Sequence, residues 1–188
     1  MVLYFATNNA HKLEEVRKIL PIEYEVRSLR ELGCTEDIPE TSPTLAGNSL
    51  QKAEYVWSHY HVDCFADDTG LEVDALGGAP GVRTARYAGE PACDAANRQK
   101  LLSELNGKTD RCAHFSTVVT LIRSGEVQQV EGRVYGSIAT EERGANGFGY
   151  DSLFIPEGYE STFAELPAEV KNQISHRARA MEALRKLL

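Results

Sequence analysis

The chain has 188 residues, 42% hydrophobic and 26% charged, the proportions of an ordinary folded domain long enough to bury a sizeable core. A net charge of -8 runs against a general nucleic-acid binder, which would show a basic face, although an acidic protein can still bind a polyphosphate through gathered lysines or a divalent metal. The four cysteines (Cys34, Cys64, Cys93, Cys112) lie far apart with no C-x-x-C pair, which predicts reduced thiols in a cytoplasmic protein and no zinc site; the apolar run at Val2 to Ala6 is too short for a secretory leader or a membrane span.

Val2 to Ala6 instead predicts a compact strand that breaks into Thr7-Asn8-Asn9-Ala10-His11-Lys12. A helix follows, with Leu13, Val16, Ile19 and Leu20 on one face and Pro21 as its stop. A strand ending in a small polar loop that feeds a helix start is a natural phosphate cradle. Thr7 and Asn8 offer side-chain donors, the loop offers amides, and Lys12 adds a positive charge. The glycines of a Walker loop are absent, and a simply capped helix start explains the loop equally well on its own. Tyr24 to Leu29 predicts a second strand, followed by a polar loop carrying Glu36, Asp37 and Glu40. Thr44 is the expected N-cap of a helix running to about Tyr60. Asn48 and Lys52 stand one turn apart on it, so they address either one ligand or open solvent.

Cys64 to Ala66 reads as the end of a buried strand, with Asp67 and Asp68 directly after it. Thr69-Gly70 is expected to turn the chain into a second short strand, Leu71 to Ala75. Uncompensated burial of a carboxylate is expensive, so at least one acid must meet water, a cation or a hydrogen-bond network; a solvated turn is the plain alternative. Gly77 to Gly81 is a tight connector, and Asp94 is the expected cap of a helix that buries Leu101, Leu102 and Leu105 and ends at Gly107. His114 to Arg123 and Glu126 to Thr140 predict an antiparallel hairpin turning at Ser124-Gly125. The loop Gly144 to Asp151 is too glycine-rich for a core, which leaves Phe148 and Tyr150 free to stack on something flat. Ser152 to Ile155 is another strand, and the segment after Pro167 carries Lys171 on a short helical turn. Ser175 is expected to cap a terminal helix with Ala178, Met181, Leu184 and Leu188 facing inward. His176 and Arg177 fall in its first turn, where the dipole disfavours cations, so either solvent or a bound anion or carbonyl would suit them.

Ala6 to Lys12, Pro39-Glu40-Thr41, Asn48 to Ala53, Ala66 to Leu71, Leu76 to Gly81, Ala85-Arg86-Tyr87, Gly147 to Asp151 and Ser175-His176-Arg177 are each weak signals. In this order they resemble the inosine triphosphate pyrophosphatase family, which removes non-standard purine nucleoside triphosphates, and the likeness covers nearly the whole chain. The resemblance implies an α/β fold with an elongated mixed β-sheet flanked by helices, two lobes around a central cleft that holds substrate, a single pyrophosphatase domain over 1–188, and a homodimer. It implies hydrolysis of ITP, dITP and XTP to the monophosphate and pyrophosphate, with Mg²⁺ held by Glu40 and Asp68 and with Asp68 as general base. Thr7, Asn8, Asn9, Ala10, His11 and Lys12 would cradle the triphosphate, Lys52 and Lys171 would add cations, and Asn48 would be a further substrate contact. Thr69, Phe148, Gly149, Tyr150, Asp151, His176 and Arg177 would hold the nucleotide, mostly at its base. No nucleic-acid or membrane partner is expected.

The chain departs from the pattern in three places. Ala46-Gly47 stands where relatives often carry a Glu just before the Asn, His11 stands where many have Gly, and Thr69, which keeps the hydroxyl, stands where Ser is more frequent. The first departure implies slower turnover if that Glu helps with metal or water, and in the limit a nucleotide-binding protein without turnover. The septum-inhibition type of pyrophosphatase is a further relative, but Ser175-His176-Arg177 speaks against it.

Overall fold

The structure, a computed structural model, describes residues 1–188. Strand β1 (Val2–Phe5) runs into helix α1 (Ala10–Ile19), whose N-cap is Asn9: its side-chain oxygen accepts the Lys12 N–H at 3.1 Å. Strand β2 (Glu25–Ser28) returns parallel to β1. It is shorter than expected because Ser28 and Glu31 form a capping box that starts helix α2 (Leu29–Leu32). Helix α3 (Leu45–Tyr60) has the predicted limits and the predicted cap, the Thr44 hydroxyl accepting the Gly47 N–H at 3.0 Å. Strand β3 (Cys64–Val73) lies parallel to β1.

The expected break at Thr69-Gly70 does not occur, and β3 is one continuous strand through both acids. The physical reason lies in the side chains: each carboxylate has charged or amide partners, so neither has to leave the sheet for water. Strand β4 (Pro80–Gly81) pairs antiparallel with the far end of β3. Helix α4 (Asp94–Glu104) begins one residue earlier than read, with Cys93 as N-cap and Asp94 inside the first turn, where its carboxylate accepts the Gly149 N–H at 2.9 Å instead of capping the helix. Strands β5 (Cys112–Arg123) and β6 (Glu126–Ile138) form the predicted hairpin. Ser124 (φ 51°) and Gly125 (φ 84°) are both left-handed, as a two-residue turn matched to strand twist requires. Strand β7 (Phe154–Pro156) and helices α5 (Ala168–Ile174) and α6 (His176–Arg185) complete the chain. The strand order is β2-β1-β3-β5-β6-β7, with β4 on β3.

By contacts the chain falls into two units, Met1–Asp68 with Thr117–Gly132 and Arg177–Leu188, and Thr69–Ser116 with Arg133–His176. The first unit has a core on each face of its strands. Leu3, Phe5, Phe65, Val119 and Leu121 pack with Val16 of α1 and with Ala180, Met181 and Leu184 of α6. Ala6, Cys64, Ala66 and Ile122 pack with Ala53 and Val56 of α3. In the second unit Leu71, Val73, Leu101, Phe115, Ile138, Phe154 and Phe163 share one core. Tyr150 joins that core instead of standing free, its hydroxyl donating to the Thr84 carbonyl at 2.7 Å, which satisfies the one polar atom that burial would strand. All four cysteines are free thiols, and no helix is long and apolar enough to cross a membrane.

Candidate active site

Side chains on a strand alternate between faces, and this sends the two acids of β3 in opposite directions. Phe65 faces the α1 and α6 layer and Ala66 faces α3, so Asp67 follows Phe65 and Asp68 follows Ala66. Asp67, 1% exposed, meets Lys12 Nζ of α1 at 2.9 Å and Arg177 Nη2 of α6 at 3.4 Å. Arg177 also pairs with Glu15, one turn beyond Lys12. Burial alone would push the Asp67 carboxyl up, but Lys12, Arg177 and Lys52 more than reverse this and hold it well below the usual range. Lys12 is pulled down, by burial first and by the Lys52 and Arg177 charges, against the opposing pull of Asp67.

On the other face, Asp68 Oδ2 accepts from Asn48 Nδ2 at 3.2 Å, and its Oδ1 lies 4.0 Å from Lys52 Nζ. Lys52 is ion-paired with Glu40, so the two carboxylates share one ammonium. Burial favours the neutral amine of Lys52, but Asp67, Asp68 and Glu40 outweigh it and raise its pKa. Burial also raises the Asp68 carboxyl, with Glu40 adding to the rise, while Lys52, Lys12 and the Asn48 hydrogen bond hold it back. Asn48 and Lys52 are both buried, so the exposed-face alternative for this pair does not apply.

The Thr7 to Lys12 segment leaves β1 at its C-terminal end, the usual ligand side of parallel strands. Thr7 Oγ1 accepts the Asn9 N–H at 3.1 Å, and the Asn9 side chain is engaged as the α1 cap. Asn8, Ala10 and His11 are exposed beside them. The first unit thus gathers Lys12, Glu40, Asn48, Lys52, Asp68 and Arg177 around β3.

Thr69, Phe148 to Asp151, Lys171 and His176 belong to the second unit. Lys171, 5% exposed, donates to Asp151 Oδ2 at 2.6 Å and lies 4.9 Å from the Phe148 ring centroid. The same carboxylate oxygen accepts the Phe148 N–H at 3.0 Å. This approach needs Gly147: a Cβ there would run into the Asp151 carboxylate, and φ is +76°. Gly149 is held at both ends, its N–H by Asp94 and its carbonyl by Arg98 Nη1 at 2.9 Å. Phe148 is half-buried, and the buried His176 ring stacks on Phe115 with centroids 4.6 Å apart.

Sequence reasoning named no partner for Asp67, gave Asp94 only a helix-capping role, and gave none to Glu15 or Arg98. Glu15 was open to discovery, since it sits three residues after Lys12 on one helix face. The others act across long sequence separations that leave no local signal.

A family model described as the Ham1 family matches residues 3–187. The dITP/XTP pyrophosphatase of Porphyromonas gingivalis is 56% identical over 187 residues, covering 99% of this chain and 96% of that protein. The dITP/XTP pyrophosphatase of Bacillus subtilis is 49% identical, covering 97% of this chain and 94% of its own. Among solved structures, the Staphylococcus aureus Ham1 protein superposes with a TM-score of 0.89 at 39% identity, covering 100% of this chain and 97% of that one.

Proposed function

The chain belongs to the Ham1 family, and on that premise we propose that it hydrolyses the non-standard purine nucleoside triphosphates ITP, dITP and XTP to the monophosphate and pyrophosphate. The observation that carries this reading is the grouping of Asp68, Glu40 and Lys52 at β3, next to the Thr7 to Lys12 segment that ends β1. Relatives named dITP/XTP pyrophosphatase that align over nearly the full length support it.

Glu40 and Asp68 are hard oxygen donors, and no three His, Cys, Asp or Glu side chains gather into a metal cluster. Mg²⁺ is commonly held by one or two carboxylates together with substrate phosphates, so this donor set fits it and these two residues would hold it. When bound, the ion supplies charge neutralisation at the phosphates. Asp68 orients the attacking water and takes its proton at the carboxylate. Lys12 and Lys52 bring positive charge to the triphosphate, with the amides and side chains of Thr7 to His11 beside them. In the second unit Lys171 adds a cation, Phe148 offers a ring face to the base, and Thr69, Gly149, Asp151 and His176, with Arg177, fix the nucleoside, while the buried Tyr150 anchors its loop to the core. The chain works as one pyrophosphatase domain over 1–188, as a cytoplasmic homodimer without nucleic-acid or membrane partners; the net charge of -8 supports the absence of nucleic acid.

Pyrophosphate release from a nucleotide panel tests this. ITP, dITP and XTP are expected to be good substrates with Mg²⁺, GTP weak, and ATP and the pyrimidine triphosphates very poor, with EDTA stopping turnover. Equal turnover of ATP and ITP would overturn the base assignment, and tight ITP binding with no pyrophosphate would make the protein a binder. Lys12→Ala and Lys52→Ala are each expected to raise the Kd for ITP more than that for IMP, because only the triphosphate carries the charges they meet. Equal loss for both ligands would assign these lysines to the fold.

A further inference from the structure

We propose that Asn48 is a positioning residue for Asp68, not a ligand of the substrate, and that Gly47 is what permits it. The inference rests on the reading of Asp68 as the base. Asn48 is 3% exposed, and both ends of its amide are engaged. Its Oδ1 accepts the Ser42 N–H at 2.8 Å, so the oxygen end must face that backbone donor and the nitrogen end must face away. The nitrogen is thereby turned onto Asp68 Oδ2 at 3.2 Å. A backbone amide in the loop before α3 therefore decides which end of Asn48 the acid meets.

Ser42 reaches this place only because residue 47 has no side chain. A Cβ on Gly47 would overlap Ser42 Oγ outright and lie 2.6 Å from Ser42 Cβ. The loop has little freedom to yield, since Ser42 Oγ accepts the Thr44 N–H at 3.2 Å and lies 3.2 Å from the Thr44 hydroxyl. The helix turn itself is tied down as well. Gln129 Nε2 donates to the Ala46 carbonyl at 2.9 Å and to Thr120 Oγ1 at 2.8 Å. Ser49 Oγ, 2.9 Å from Thr120 Oγ1, donates at 2.9 Å to the carbonyl of Ala66, two residues before Asp68. The first turn of α3 and the strand that carries the acid are thus held in fixed register, with Asn48 as the last link. Glycine at 47 is a requirement of this arrangement, not merely the loss of a glutamate.

The test separates turnover from binding. Asn48→Ala, Gly47→Ala and the double variant Gly47→Ala/Ser42→Gly are assayed for kcat on ITP with Mg²⁺, and for ITP affinity by calorimetry on metal-free protein, where nothing is hydrolysed. Asn48→Ala is expected to lower kcat by about 10–100-fold, the usual cost of losing a partner that orients a working residue, with ITP affinity unchanged. Gly47→Ala should lose turnover in the same way, and adding Ser42→Gly should restore it by removing the two atoms that the new methyl would overlap, leaving only a tight 3.0 Å contact with Thr44 Oγ1. A rise in Kd with kcat intact would make Asn48 a substrate ligand and overturn the proposal. So would unchanged kcat in Asn48→Ala, or a Gly47→Ala defect that Ser42→Gly leaves in place. If Asn48→Ala does not fold, the Gly47 pair decides alone. Full activity in Asp68→Asn would sink the reading of Asp68 itself, a failure distinct from all of these.

Discussion

Asp68→Asn is expected to lower kcat for ITP by about 10²–10⁴-fold, the contribution of a positioned general base, while the protein remains folded. Asparagine has the same shape, and its side-chain oxygen can still accept from Asn48 Nδ2, so the hydrogen bond that holds position 68 survives. What is lost is the carboxylate proposed to take the proton and to help hold Mg²⁺. Steady-state pyrophosphate release and a thermal melt on the same preparation measure both halves of the expectation. Retention of more than about a tenth of wild-type activity would remove Asp68 from the role of base, because that loss is smaller than general-base catalysis allows.

The same substitution one residue earlier should do something different. Asp67→Asn is expected to destabilise the protein by about 3–5 kcal/mol, the cost of stranding buried charges by removing their partner. Lys12 and Arg177 both turn to Asp67, and Glu15 is a further counter-ion of Arg177. Denaturant unfolding of Asp67→Asn and Asp68→Asn side by side gives the comparison. Asp67→Asn should shift the midpoint strongly and Asp68→Asn little. Equal midpoints would show that Asp67 is not the hub of its charge network.

Much of the first unit was legible because its signals are local. The Thr44 cap fixed the start of α3, Asn9 sits where a cap is expected before α1, and Ser124-Gly125 turned the hairpin. The membership of the Ham1 family was legible in the order of short motifs, none of them informative alone. Illegible was whatever depended on partners far away in sequence. Asp67-Asp68-Thr69-Gly70 has the composition of a turn, yet it stays extended because Lys12 approaches from 55 positions before Asp67 and Arg177 from 110 after it. Tyr150 looked free in a glycine-rich loop and is buried because the Thr84 carbonyl, 66 positions away, takes its hydroxyl. The Arg177 guanidinium also meets Glu15 and Asp67, partners that periodicity does not disclose.

The uninterrupted course of β3, flanked in the sheet by β1 and β5, bears on how this protein moves. Working residues on loops are free to open and close by local fluctuation, and their amides exchange with solvent readily. An acid carried in the interior of a strand has no such freedom, since releasing its backbone means unzipping a ladder. The amides of β3 should therefore exchange deuterium as slowly as those of the buried core. The exposed residues from Asn8 to His11 should exchange far sooner, so that adjustment to the length and shape of the nucleotide falls to the segments around a fixed acid.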